Sequence, residues 1–257
     1  MAHSRILLWP CILMTAISTT AAADNRDRFE PRTLTQGEYK LPYRLLKPKD
    51  YDPNKKYPLV VFLHGAGERG DDNEKQLVHG MNDFASDEIM AKYPAFVIAP
   101  QCPSGEAWGG INRLAKTPTP ADQLAPALAA TLQAAAEVQN EFSIDDQRIY
   151  ITGLSMGGFG TFSALTNRPE LFAAAAIICG GGETAMASKF KHVPIWAFHG
   201  ADDKTVPAER SREMIEALKA AGAAPKYTEY PGVGHNSWAQ TYADPALYEW
   251  LFAQRKP

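Results

Sequence analysis

The sequence predicts an α/β domain, a mostly parallel central sheet with helices on both faces. Wholly apolar runs such as Leu59-Val60-Val61-Phe62-Leu63 and Phe96-Val97-Ile98-Ala99 have the character of strands buried on both sides. Stretches with apolar positions at helical spacing lie between such runs. Strands alternating with helices in this way specify a parallel sheet with crossover helices.

In chain order, Tyr39 to Leu46 alternates like a half-buried strand, and Tyr51-Asp52-Pro53-Asn54-Lys55-Lys56 is a polar turn. The strand Leu59 to Leu63 ends at His64-Gly65-Ala66-Gly67. Mixed apolar and polar spacing predicts a helix from about Glu74 to Lys92, followed by the buried strand Phe96 to Ala99. Pro100 to Pro120 is the longest irregular segment, and such loops in compact domains are often functional. Leu124, Leu128 and Leu132 mark a helix face running towards Glu141. The β-branched run Ile149 to Thr152 is the next strand, and a helix rich in small residues follows Ser155. The pattern then repeats: strand Ala174 to Ile178, a glycine run, strand Ile195 to Phe198, helix Ala208 to Ala221, strand Tyr227 to Tyr230 and a last helix Ala239 to Phe252.

The chain has 257 residues, 45% of them hydrophobic, enough for one sizeable core. Its formal charge is −3 with no charge run, which points away from nucleic acid and towards a small molecule or a polymer end as ligand. Met1 to Arg5 is a short positive segment, Ile6 to Ile17 is apolar but short for a bilayer span, and Ala21-Ala22-Ala23 offers small residues for cleavage. Residues 1–23 therefore read as a secretory signal peptide, with a single catalytic domain over 24–257 in a secreted or periplasmic protein. That leaves Cys102 and Cys179. Both follow strands that the expected order separates by two neighbours, too far for one bridge, so two buried free thiols are expected.

Gly153-Leu154-Ser155-Met156-Gly157 sits directly between a strand and a helix. That is the setting of a nucleophile elbow, in which glycines permit a strained turn and a serine is held at its tip. A serine hydroxyl is a poor nucleophile unless a general base takes its proton, and the base needs a group that fixes its tautomer. In a parallel sheet these groups come from loops at the carboxyl ends of strands. Asp202 and Asp203 follow one strand, and His235, in a glycine-flanked loop, follows the next. Of the six histidines, His3 lies in the leader and His79 and His192 lie away from strand ends. His199 reads as a structural turn residue, and His64 precedes the loop expected to surround an oxyanion. His235 is the candidate base. A tetrahedral oxyanion needs preorganised donors, for which the backbone amides of Met156 and Ala66 are the candidates.

The run Leu63-His64-Gly65-Ala66-Gly67-Glu68-Arg69-Gly70-Asp71-Asp72-Asn73, with Ala99-Pro100-Gln101-Cys102-Pro103, Trp108, Gly153-Leu154-Ser155-Met156-Gly157-Gly158 and Cys179-Gly180-Gly181-Gly182, resembles the secreted α/β-hydrolases often labelled predicted peptidases. These are similar to feruloyl esterases and to the catalytic domains of poly(3-hydroxybutyrate) depolymerases. The resemblance implies the α/β-hydrolase fold and a serine carboxylesterase that works through an acyl-enzyme with Ser155, Asp203 and His235 as its triad. His199 to Pro207 resembles the H-G-x-x-D-x-x-V-P pattern of such hydrolases, which selects Asp203 over Asp202. No cofactor or metal is expected. The substrates implied are extracytoplasmic esters, such as acetyl or feruloyl groups on polysaccharide, or short polyesters. A prolyl-oligopeptidase-like peptidase and a non-catalytic hydrolase-fold binding protein are the alternatives. Arg69 is a candidate for binding a substrate carboxylate or carbonyl, or else part of an internal ion-pair network. Trp108 is a candidate aromatic wall over the acyl group, or else a packed loop tryptophan.

Overall fold

The computed structural model describes residues 24–109 and 119–257. The expected signal peptide, and the middle of the Pro100 to Pro120 segment, lie outside the described residues. Among those described, eight strands form one sheet: β1 (Glu30–Gln36), β2 (Tyr39–Leu46), β3 (Tyr57–Leu63), β4 (Phe96–Pro100), β5 (Ile144–Leu154), β6 (Ala174–Ile178), β7 (Ile195–Gly200) and β8 (Lys226–Tyr230). Their spatial order is β1-β2-β4-β3-β5-β6-β7-β8. β1 and β2 run antiparallel to their neighbours, and all pairs from β4 to β8 are parallel.

The helices are α1 (Met81–Phe84), α2 (Asp87–Lys92), α3 (Pro126–Glu141), α4 (Met156–Asn167), α5 (Glu209–Ala220), α6 (Trp238–Ala243) and α7 (Pro245–Ala253). Two apolar layers form because side chains alternate across each strand. Leu59, Val61, Leu63, Ile149 and Ile151 face α3, α4 and α5, whereas Val60, Phe62 and Tyr150 face α1, α2, α6 and α7. All seven residues of β3 are buried, and full burial of each large apolar side chain contributes about 1.5–3 kcal/mol. None of the helices described is long and apolar enough to cross a membrane.

The central strands fall where apolar runs place them, and the departures have local causes. β1 escapes sequence reading because Leu34 alone of its residues is buried, so Glu30 to Gln36 carries little apolar signal. The single helix expected over 74–92 is broken. Gly80 adopts φ +74 with the Tyr242 ring where a side chain would stand, and Ser86 Oγ accepts a bond from Ile89 N to start α2 afresh. The last helix is likewise two, because Pro245 cannot donate to a continuing helix and Asp244 caps α7 through Ala246 N at 2.9 Å. Cys102 and Cys179 are buried free thiols at the ends of β4 and β6, with β3 and β5 between them.

This topology gathers loops at one edge of the sheet. Leu63 of β3 is level with Gly153 of β5, Leu154 with Ile178 of β6, and Gly200 of β7 with Tyr230 of β8. Everything that follows these residues emerges on the same side.

Candidate active site

Ser155 stands between β5 and α4 with φ +52 and ψ −115, a conformation that costs a non-glycine residue on the order of 1–3 kcal/mol. The surroundings enforce it: Ser155 N donates to Ile178 O at 2.9 Å, and α4 begins at the next residue. His235 Nε2 lies 2.9 Å from Ser155 Oγ, and His235 Nδ1 lies 2.7 Å from Asp203 Oδ2. A carboxylate accepts only, so the ring proton belongs on Nδ1 and the Nε2 lone pair faces the serine.

Asp203 is buried, whereas Asp202 is exposed. Oδ1 of Asp203 accepts from the amides of Thr205 and Val206 at 2.8 and 2.9 Å. Burial alone would raise its pKa, but the bonds from His235, Val206 and Thr205 outweigh burial and hold it below the ordinary value. The carboxylate is thus fixed in place and ionised.

His199 is fully buried behind Asp203, with Nε2 2.8 Å from Val206 O and 3.3 Å from Asp203 Oδ2, and Nδ1 2.7 Å from Ser211 Oγ. Burial lowers its pKa. Its bonds commit it to holding the Asp203 loop.

The oxyanion candidates lie just beyond the ends of neighbouring strands. Ala66 opens a short 3-10 turn, Ala66–Glu68, after β3, and Met156 is the first residue of α4. Amides at the start of a helix have no intrahelical acceptor. His64 shapes the first of these loops. Its Nδ1 donates to Gly65 O at 2.6 Å, its Nε2 accepts from Cys102 N at 2.9 Å, and its own carbonyl accepts from Trp108 Nε1 at 3.0 Å. Those partners require the neutral ring. Burial is the main reason its pKa falls from 6.5 to about 4.

His64 therefore binds its proton more weakly folded than unfolded, so its stabilising effect is complete above pH 6.5 and is lost as pH falls from there to about 4. The loss amounts to about 3 kcal/mol at most. Urea unfolding at pH 7 and pH 4.5 is expected to show a fall in stability roughly 2 kcal/mol smaller in His64→Asn than in the wild type. Equal falls in the two proteins would contradict a buried neutral His64.

Arg69 is half-buried. Its Nε donates to Ala66 O at 3.0 Å and its Nη1 to Glu106 O at 3.2 Å, so it clips the loop that carries the Ala66 amide. Of the two readings of Trp108, the packed loop tryptophan is the one the structure shows and the aromatic wall is not. Trp108 is fully buried, 5.1 Å from the His64 ring and packed where a side chain on Gly160 would stand, so it has no face to offer an acyl group. Trp238 is the aromatic residue beside the site, with ring contacts of 5.2 Å to both His235 and His79.

The reading of His199 as a structural turn residue agrees with its burial and its bonds to the Asp203 loop. Sequence reasoning passed over the role of two residues here, Cys179 and Ser237. Cys179, expected only as a buried thiol, lies within 4.8 Å of groups on Asp203 and His235, and Ser237 is buried next to it. No spacing in the chain encodes that approach, which follows from β6 lying between β5 and β7.

The sheet order, with its antiparallel start, its parallel remainder and helices on both faces, makes the chain an α/β-hydrolase by class. More particularly, it belongs to the phospholipase/carboxylesterase family, which residues 51–246 match, and it is a carboxylic ester hydrolase. The carboxylesterase SOBER1 of Arabidopsis thaliana is 28% identical over 193 residues, covering 69% of this chain and 82% of that protein. The probable feruloyl esterase C of Aspergillus niger is 25% identical over 242 residues, covering 92% of this chain and 83% of that protein. Among solved structures, a thermostable esterase matches with a TM-score of 0.84 and 42% identity over 90% of this chain, which spans 64% of that esterase's length.

Proposed function

We propose that Ser155, His235 and Asp203 form a catalytic triad that hydrolyses small acyl and feruloyl esters carried by extracytoplasmic polysaccharide or short polyester. The observation that carries the reading is the unbroken line from Ser155 Oγ through both nitrogens of His235 to Asp203, at 2.9 and 2.7 Å. His235 Nε2 takes the serine proton as Oγ attacks the ester carbonyl, and Asp203 stabilises the imidazolium that results. The amides of Ala66 and Met156 receive the oxyanion. His235 then protonates the leaving alcohol, and the same steps with water in place of serine release the acid.

The substrate class draws its support from the near full-length similarity to a feruloyl esterase and from the leader-like character of residues 1–23. Turnover of 4-nitrophenyl acetate, methyl ferulate and a proline 4-nitroanilide peptide tests it. Both esters are expected to be cleaved and the peptide left intact. Faster cleavage of the peptide than of either ester would replace the esterase reading with a peptidase.

A further inference from the structure

We propose that Cys179, Asp203 and His235 form a binding site for a thiophilic divalent cation, Zn2+ or Cd2+, and that occupation of this site switches the esterase off. The inhibition rests on the triad read above; the binding itself does not.

The Cys179 thiol, a carboxylate oxygen of Asp203 and a ring nitrogen of His235 all lie within 4.8 Å of one another. Tetrahedral zinc, with bonds of about 2.0–2.3 Å, sets its ligand atoms about 3.3–3.7 Å apart, so modest side-chain movement closes the site. Thiolate, imidazole and carboxylate are the donor set that zinc and cadmium favour. Calcium and magnesium, which need six or more oxygens or their own waters, find too few hard ligands here. The charges also balance. A divalent ion with one thiolate and one carboxylate makes a neutral centre, which the interior accepts more readily than an isolated ion. On binding, the thiol proton leaves to solvent, the sulfur and oxygen contribute electron pairs to the metal, and the neutral imidazole contributes its lone pair.

Two further features surround the sulfur. Ser237 is fully buried beside Cys179, and its Oγ has the Cys179 thiol, a weak hydrogen-bonding group, as its neighbour rather than a strong partner among the described residues. A buried hydroxyl so weakly partnered is costly, and a metal bound by the neighbouring sulfur would offer it a fourth ligand position. Cys179 itself is held at φ +42; with Ser155 and Asn73 it completes the non-glycine residues of positive φ among those described. Such strain persists only where the surrounding structure over-determines the backbone, so the sulfur is held in a fixed place. Burial keeps the free thiol protonated, raising its pKa, so the sulfur is quiet until a metal displaces the proton. The partly exposed His235, whose side chain is 22% accessible, provides the way in.

Inhibition follows whichever ring nitrogen is used. At Nε2 the ion takes the lone pair that should accept the Ser155 proton. At Nδ1 it forces the ring proton onto Nε2. Either leaves the serine without a base.

Cadmium titration of the purified protein, followed by the ultraviolet thiolate-to-cadmium charge-transfer band, tests the site without reference to activity. One equivalent is expected to develop the band in wild type and in Cys102→Ala, and not in Cys179→Ala. Zinc is expected to inhibit 4-nitrophenyl acetate hydrolysis by wild type and Cys102→Ala, with reversal by EDTA. Magnesium is expected to do nothing, and Cys179→Ala to require at least about tenfold more zinc relative to its own uninhibited rate. No band in wild type, a band lost in Cys102→Ala, or a band unchanged in Cys179→Ala would overturn the site. Should Cys179→Ala fail to fold, the Cys102→Ala result decides. A band assigned to Cys179 without zinc inhibition would overturn the switch, and a metal-binding protein with no esterase activity would overturn the triad and leave the site standing.

Discussion

Ser155→Ala is expected to lower kcat for 4-nitrophenyl acetate by at least about 10³-fold while leaving the fold intact. The substitution removes one oxygen atom, and Ser155 Oγ has a single described partner, His235 Nε2 at 2.9 Å. Alanine keeps the Cβ and therefore the backbone strain at φ +52, so the melting temperature should hardly move. Ser155→Gly separates the two effects. Glycine occupies this backbone region without penalty, so that variant is expected to be equally inactive and more stable by about 1 kcal/mol. Together they distinguish a nucleophile from a structural turn residue. Retention of more than a tenth of the activity in Ser155→Ala would remove it from the mechanism.

The second large effect is in stability. A methyl group on Gly157 would sit 1.9 Å from Leu63 O, 2.5 Å from Leu63 C and 2.8 Å from His64 O. These are backbone atoms of a fully buried central strand and of the loop after it, so no rotamer change relieves the clash. The helix α4 must move off β3 instead, disturbing the Ser155 turn and the His64 loop together. Gly157→Ala is therefore expected to destabilise the protein by at least about 3 kcal/mol in urea unfolding, the upper end of overpacking costs, and to lose activity with it. Gly67→Ala, with nothing within 4 Å of the added methyl, is the comparison and should be close to neutral in stability. Similar stability for the two variants would mean that α4 does not lie against β3 as described.

These sites also show what a sequence can disclose. Ser155 and His235 were legible because each follows a strand in a glycine-flanked turn, where local pattern and chemistry coincide. β3, β4 and β6 were legible because burial on both faces leaves an unbroken apolar run. β1 was not, since edge position allows a strand to be mostly polar. The breaks at Gly80 and Pro245 were visible as residues, yet only the packing of Tyr242 and the Asp244 cap show why the helices stop there. Asp203 and Asp202 are the same residue type side by side, told apart in the chain only by the resemblance of His199 to Pro207 to a known pattern; the geometry of their loop buries the first and exposes the second. Trp108 was ambiguous for the opposite reason, because an indole suits a substrate wall and a core equally well. The approach of Cys179 to Asp203 and His235 depends on which strands are neighbours, and that information is not local to any segment.

The pairing of Leu63 with Gly153 carries a wider consequence. A slip of one residue between β3 and β5 would displace one of the proposed oxyanion donors relative to the other by about 3.3 Å, more than a hydrogen bond tolerates. The same slip would turn every side chain of β3 into the opposite apolar layer. The core therefore proofreads the chemistry: a chain that has buried Val60 and Phe62 on one side and Leu59, Val61 and Leu63 on the other has already set its two donor loops at the same height.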